Sequence, residues 1–287
     1  MFTQIATQVS YTSSMDIIRT GLAEFFDWSS IMPARHITPR HRYLSGRVAT
    51  TKGSHAQAFE SSLEQDFLLL LEFDRGVSRF ASQPITIRWK NEGRQRRYTP
   101  DVLVEYTATM LNHYPHLKPT LFEVKPESIL KQDWSTLKPK FKAAIHWCRE
   151  YECRFRIVTE RYIRTPYLGN IKFLMQYGNE RFRFADRPTQ GNAQGAIRSV
   201  LFDLGRTTPQ QLLETITSDK NRHAELLPYI WHLVRCNAIG VDLKQPLTMQ
   251  SPIWSLETGT QLAMMMGGEH RKRILQILEA NHIQVER

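Results

Sequence analysis

Hydrophobic and polar residues alternate along the first 160 positions in a pattern that predicts helices and strands in turn. Apolar residues at helical spacing predict an amphipathic helix over residues 54–72. A second helix is predicted over residues 137–151. Short segments rich in β-branched and aromatic residues predict strands at residues 85–89, 97–106, 121–125 and 154–159. This mixture predicts an α/β domain over residues 1–164.

The residues after 164 follow a different pattern, in which helices come first and strands last. Thr208 as a cap and Pro209 at the first helical position predict one helix, and residues 223–238 predict a second, strongly amphipathic one. Strand-like segments and a basic helix follow at residues 239–243, 252–256 and 269–281. This order predicts a winged-helix-like helical domain over residues 165–287. The Pro- and Gly-rich residues 185–194 are either a loop within this domain or the linker before it.

Composition and charge indicate a globular protein with a polyanionic partner. Hydrophobic residues make up 41% of the 287 positions, which is enough for real cores. Thirty-eight basic residues against 28 acidic ones give a net charge of +10, which favours nucleic acid. The three cysteines form no C-x-x-C and no secretory signal precedes them, so we expect a bacterial cytoplasmic protein without disulfides or structural zinc. No apolar run approaches the roughly 20 residues that span a bilayer.

Two groups of basic residues are candidates for DNA contact. Residues 28–59 contain no Asp or Glu and predict an extended basic arm, with the candidate contacts Arg35, Arg40, Arg42, Arg47 and Lys52. The alternative for this segment is a solvated loop. The second group lies in the predicted hairpin close to Asp101 and consists of Arg94, Arg96 and Arg97. Those three either guide a scissile phosphate or only solvate a turn.

Four ionisable residues are candidates for a catalytic site. On the predicted strand at 121–125, Glu123 and Lys125 share one face. Asp101 follows Pro100 at the opening of another strand, and Glu64 lies among apolar residues on the first helix. Carboxylates hold hard cations such as Mg²⁺, and a lysine can offset charge on a phosphate, so the set suits two-metal phosphodiester hydrolysis. A structural ion pair is the alternative for Glu64, and Glu105 is the rival of Asp101 as metal ligand.

The order of these elements is that of the PD-(D/E)xK restriction-endonuclease-like core. Five segments carry a closer resemblance, to TnsA, the endonuclease subunit of heteromeric TnsA–TnsB transposases: Glu60–Phe67, Ser82–Pro84, Tyr98–Asp101, Phe122–Pro126 and Ile157–Glu160. The resemblance covers residues 50–170 strongly and the C-terminal part loosely. Such systems include CRISPR-associated transposons.

The resemblance implies a magnesium-dependent DNA endonuclease that cleaves the 5′, non-transferred strands at transposon ends. A TnsB-like DDE transposase would cut and join the 3′ ends, and a TnsC-like AAA+ ATPase, engaged by residues 165–287, would license the assembly. It further implies two Mg²⁺ or Mn²⁺ ions held by Glu64, Asp101, Glu123 and the Val124 carbonyl, with Lys125 orienting or activating water. Some relatives carry glutamine at the position of Glu123. We therefore expect Asp101, more than Glu123, to bind the metal directly.

Two other functions compete with this one. A stand-alone restriction-like or Holliday-junction-resolving endonuclease would cut DNA without partners. A catalytically silent DNA-binding scaffold would keep the fold without the metal. The complete set of Glu64, Asp101, Glu123 and Lys125 argues against the scaffold, and dependence of cleavage on partners would separate the other two.

Overall fold

The computed structural model describes residues 44–91, 93–178 and 188–256, with side chains from residue 193 in the last range. The chain begins there with two short antiparallel strands, β1 (Gly46–Val48) and β2 (Gln57–Phe59), followed by helix α1 (Ser62–Phe73). The helix predicted from residue 54 therefore starts eight positions too early, because the Ser61 side chain accepts a hydrogen bond from the Glu64 backbone and caps it. The described part of the predicted basic arm contains a strand pair, and its Val48 and Phe59 are buried.

A four-stranded sheet forms the centre of the molecule. Its strands are β3 (Val77–Ser82), β6 (Val102–Tyr106), β7 (Thr120–Val124) and β8 (Arg154–Val158), in the order β3-β6-β7-β8. The β3–β6 and β6–β7 pairs are antiparallel, and the β7–β8 pair is parallel. A parallel pair requires a long crossover, which helix α3 (Glu127–Glu150) supplies. This helix starts ten positions before the predicted residue 137 and continues through Pro139, with a kink at Asp133.

A separate two-stranded hairpin projects beside this sheet. It consists of β4 (Ile87–Asn91) and β5 (Arg94–Tyr98), which pair antiparallel. The single strand predicted over residues 97–106 is thus wrong, because the chain is divided into β5 and β6 at residues 99–101. Pro100 has no N–H to donate to a ladder, which favours a break at this point. A short helix, α2 (Ala108–His113), follows β6.

Helices cover both faces of the central sheet. On one face α1 contributes Phe67, whose ring lies 5.1 Å from that of Phe122 on β7. On the other face α3 contributes Phe141, which packs with Leu103 and Leu121. Alternate residues of the strands point to alternate helices, so β7 is buried on both sides. This arrangement explains its nearly continuous apolar sequence.

The C-terminal elements form a second core. Helices α4 (Glu160–Ile163) and α5 (Pro166–Met175) precede it, and its own elements are α6 (Pro188–Leu204), β9 (Arg206–Thr207), α7 (Pro209–Ile216), α8 (Lys220–Arg235), β10 (Ile239–Val241) and β11 (Ile253–Ser255). The three strands form an antiparallel sheet in the order β10-β11-β9. The predicted helices and strands are present here, but α6 contradicts a loop over residues 188–194. The predicted basic helix at 269–281 lies outside the described residues.

Helix α5 connects the two parts of the chain. Leu168 packs in the core next to the central sheet, whereas Ile171 packs in the C-terminal core. The buried Asp66 of α1 binds Arg164 at 2.9 Å and Lys172 at 2.5 Å. The domain boundary predicted at residue 164 therefore falls in a segment that packs against both sides. No helix in the described ranges combines the length and apolar character needed to cross a membrane.

Candidate active site

Asp101 and Glu123 face each other at the end of the central sheet. Val102 pairs with Phe122 in the antiparallel β6–β7 ladder, and the Asp101 backbone N–H donates to the Phe122 carbonyl at 3.0 Å. One step further along the register places Asp101 opposite Glu123. The Val124 backbone N–H donates to the Asp101 carboxylate at 2.7 Å, which holds that side chain over the end of β7. The structure thus brings together the two acids that the sequence placed on separate strands.

Glu64 lies at the N-terminal turn of α1, where its carboxylate is tied to its own helix. One oxygen accepts a hydrogen bond from the Ser61 hydroxyl at 2.8 Å, and the other accepts from the Glu60 backbone N–H at 2.7 Å. The arrangement resembles a capping box, whose sequence signal is the spacing Ser61-x-x-Glu64, but the backbone N–H that Glu64 binds is that of Glu60 and not that of the N-cap residue Ser61. Glu64 therefore has a structural role at the start of α1, but it fills this role through hydrogen bonds and not through the ion pair considered as the alternative. Its carboxylate also interacts electrostatically with Lys125.

Glu123 is 1% exposed, and both of its oxygens have partners. The Tyr98 hydroxyl donates to one oxygen at 2.6 Å. The other oxygen lies 2.9 Å from the ammonium of Lys140 and 3.3 Å from that of Lys125. The shared face of Glu123 and Lys125 on the strand is therefore as predicted.

Sequence reasoning missed Tyr98 and Lys140 as members of this site. Lys140 lies on α3 and also packs over the Tyr98 ring, with 4.7 Å from its ammonium nitrogen to the ring centroid. Tyr98 is buried and contacts the Phe141 ring edge to face. Both residues reach Glu123 through tertiary packing, for which no local spacing gives a signal.

The acids of the site repel one another. Burial, together with the nearby charges of Glu123 and Glu64, raises the pKa of Asp101 well above its usual value. Burial likewise raises the pKa of Glu64. For Lys125 burial acts to lower the pKa, but the charges of Glu123, Asp101 and Glu64 outweigh it and raise the pKa above its usual value. The site therefore concentrates three acids, whose charge is partly offset by Lys125 and by Lys140, both within 3.3 Å of Glu123.

Gln83 supports Asp101 from the side of β3. Its φ of 49° is in the left-handed region, where a side chain is strained. Its backbone N–H donates to the Asp101 carbonyl at 2.7 Å, and its side-chain amide reaches Glu60 at 3.3 Å. Its buried side-chain oxygen has no partner among the described atoms. The rival ligand Glu105 lies further along β6 and binds Arg79 at 2.6 Å, so that acid is engaged elsewhere.

The donors at this site suit a hard divalent cation. They are the carboxylate oxygens of Asp101, Glu123 and Glu64. Gln83, whose backbone N–H donates to the Asp101 carbonyl, also has a buried side-chain oxygen without a partner among the described atoms. Burial, together with the charges of Glu123 and Glu64, raises the pKa of Asp101, and a bound cation would offset both effects. In the described residues, however, no three Asp, Glu, His or Cys side chains are already arranged around one point. Glu64 and Glu123 would have to exchange a present partner for the ion.

The predicted DNA contacts have different surroundings. Arg47 is exposed on β1, and Arg94, Arg96 and Arg97 are exposed on the β4–β5 hairpin. Lys52 instead donates to the backbone carbonyls of Leu71, at 2.9 Å, and Asp74, at the C-terminal end of α1. Burial lowers the pKa of Lys52 despite the neighbouring acids. These contacts give Lys52 a helix-capping role, while Arg35, Arg40 and Arg42 lie outside the described residues.

Comparison with known proteins agrees with this geometry. Residues 74–160 match the family described as TnsA-like endonuclease N terminal. The match begins after α1 and ends at Glu160, so it contains Asp101, Glu123 and Lys125 but not Glu64. Among curated proteins, none matches the chain.

Proposed function

We propose that this chain, whose residues 74–160 match the TnsA-like endonuclease N-terminal family, is the metal-dependent nuclease that cleaves the 5′ strands at transposon ends. One observation supports the proposal above the others: Asp101 lies opposite Glu123 at the sheet end, with Lys125 3.3 Å from Glu123, inside the matched segment. Carboxylates that can hold a divalent cation beside a lysine suit metal-assisted phosphodiester hydrolysis.

Each residue has a separate role in this proposal. Asp101, Glu64 and Glu123 hold Mg²⁺ or Mn²⁺ with the Val124 carbonyl, and two bound ions would supply the clamp on the attacking and leaving oxygens. Lys125 orients the attacking water or offsets charge on the phosphate. Tyr98 and Lys140 hold Glu123 in place before substrate arrives. Asp101 contributes most, because it joins the two strands and is repelled by both other acids.

The C-terminal part is the docking module in this account. The order α6, β9, α7, α8, β10, β11, with all three strands in one sheet, supports a winged-helix domain. Much of α8 is buried, so we assign the module to contact with a TnsC-like ATPase and DNA more than to base reading. A TnsB-like transposase would process the 3′ ends, and the whole would act in a bacterial cytoplasm.

A reconstituted reaction tests the function. The full-length chain, the TnsB-like and TnsC-like partners, and a 5′-labelled transposon-end duplex are combined with Mg²⁺ or with EDTA. We expect nicking of the 5′ strand only with Mg²⁺ and only with the partners. Cutting without partners would indicate a stand-alone restriction-like or junction-resolving nuclease. Partner-dependent binding without any cutting would indicate a catalytically silent scaffold.

A further inference from the structure

The β4–β5 hairpin carries positive charge that the acid site does not use. Its exposed basic residues, which we call the basic ribbon, are Arg88, Lys90, Arg94, Arg96 and Arg97. No salt bridge within the described part of the chain involves any of them, although other exposed basic residues such as Lys131 and Arg222 are paired. Five cations close together with no acidic partner among the described residues form a single-sign patch, which a surface that serves only solubility avoids. The acid of the turn, Glu92, lies outside the described residues.

The strand register separates these residues into two faces. Ile87 pairs with Tyr98, and both are buried in the core under α3. Trp89, opposite Arg96, packs against the same core, so this face is the inner one. The alternate pair, Arg88 opposite Arg97, and the neighbouring Lys90 therefore lie on the outer face.

The outer face is unfavourable for the protein alone. Arg88 and Arg97 are directly opposite each other, and like charges in that position destabilise a strand pair. An anion bound between them would reverse the sign of this interaction. Duplex DNA presents about one negative charge per 1.7 Å of its axis, and its major groove admits a two-stranded ribbon.

The ribbon is joined directly to the acid site. Tyr98 ends β5, and its hydroxyl donates to Glu123 at 2.6 Å. Asp101 follows three residues later in the chain. Arg97 of the outer face directly precedes Tyr98 in the chain, so DNA bound along the ribbon would begin next to the acid site.

We propose that Arg88, Lys90 and Arg97 form a phosphate-binding face that holds duplex DNA beside the acid site. Arg94 and Arg96, on the inner side, contribute less. The choice of DNA as the ligand rests on the proposed nuclease function. The assignment of the face rests on the register and on the pairing of like charges.

Single substitutions test this proposal, because each should weaken DNA binding without lowering the stability of the free protein. Arg88→Gln, Lys90→Gln and Arg97→Gln are compared with Lys118→Gln, an exposed lysine before the opposite end of β7. Affinity for a fluorescent 25-base-pair duplex is measured in Ca²⁺ at several salt concentrations. Each outer-face change should make the log-affinity against log-salt slope shallower by about 0.9, and Lys118→Gln should leave it unchanged. The melting temperature of Arg88→Gln in the absence of DNA should stay the same or rise.

The outcomes separate this proposal from the nuclease assignment. An unchanged slope in all three outer-face variants, or an equal loss in Lys118→Gln, would overturn the phosphate face. A lower melting temperature for Arg88→Gln with unaltered DNA affinity would show a purely structural residue and would also overturn it. If the wild-type chain cut no DNA while the slopes still responded as expected, the phosphate face would stand and the nuclease assignment would fail.

Discussion

The acid site and the basic ribbon lie next to each other but are built in opposite ways. Glu123 is fully buried, and its oxygens bind Tyr98, Lys140 and Lys125. The outer face of the ribbon is exposed, and its directly opposed arginines have no acidic partner in the described ranges. The partners of Glu123 thus all come from the protein itself, whereas the arginines of the ribbon need a bound anion to offset their charge. Both arrangements sacrifice stability, the first through repulsion of buried acids and the second through repulsion of exposed bases.

The largest effect is expected from removing the central acid. Asp101→Ala should abolish 5′-strand cleavage, because it removes a ligand used by the metal in the transition state without leaving a core cavity. Gel analysis of labelled ends and circular dichroism give the two readouts. If TnsB-like joining persists, the products should change from simple insertions to cointegrates. Full cleavage by a folded variant would refute the assignment.

Lys140→Met should be the most destabilising change at the site. It leaves the buried Glu123 with one cation, Lys125, in place of two. Loss of a hydrogen bond to a charged group costs about 1.5–3 kcal/mol. Denaturant unfolding should show the loss, and Lys131→Met, which breaks an exposed pair on the same helix, should show almost none. Combining Lys140→Met with Glu123→Gln should recover part of the stability. Equal losses in both lysine variants would contradict the role assigned to Lys140.

The burial of Asp101 beside two other acids predicts a pH dependence of stability in EDTA. Its pKa is raised on folding, so the folded state retains the proton at pH values where the unfolded chain, with a pKa of about 3.9, has lost it. The stability from this group is present at low pH and is lost as the pH rises toward the folded pKa. Asp101→Asn should therefore melt higher than wild type at pH 7 and depend less on pH. The exposed Asp203→Asn serves as control, and an unchanged pH profile in Asp101→Asn would argue against a strained acid.

The smallest effects are expected from the N-terminal basic residues. The arginines should affect DNA binding, whereas the partly buried Lys52 should affect stability. Replacing Arg35, Arg40, Arg42 and Arg47 by Gln should weaken DNA binding without altering sequence preference, with a salt slope shallower by roughly 0.9 per lost contact. Lys52→Met should instead lower stability by about 1 kcal/mol, because two carbonyls at the end of α1 lose their donor. A salt slope that stays the same in the arginine variant would make that segment a solvated loop.

Local sequence patterns predicted which residues share a face of a strand. They did not predict contacts that depend on the packing of distant elements. Strand alternation alone placed Glu123 and Lys125 on one face, and they lie 3.3 Å apart. The first helix was predicted too long because Phe59 continues the apolar spacing, although the cap at Ser61 signals the true start. Lys140 was not predictable, because it reaches Glu123 from 17 residues further along the chain through the path of α3. The separation of the ribbon's faces also required the observed register.

Metal binding by the full-length chain tests the central claim most directly. Mn²⁺ titrations followed by electron paramagnetic resonance, in the presence of a short duplex and corrected for the duplex alone, count the ions bound by wild type and by Asp101→Asn. We expect about two ions per wild-type chain and their loss in the folded variant, while DNA affinity in Ca²⁺ is kept. Binding of the same number of ions with the same affinity by Asp101→Asn would show that the metal site lies elsewhere.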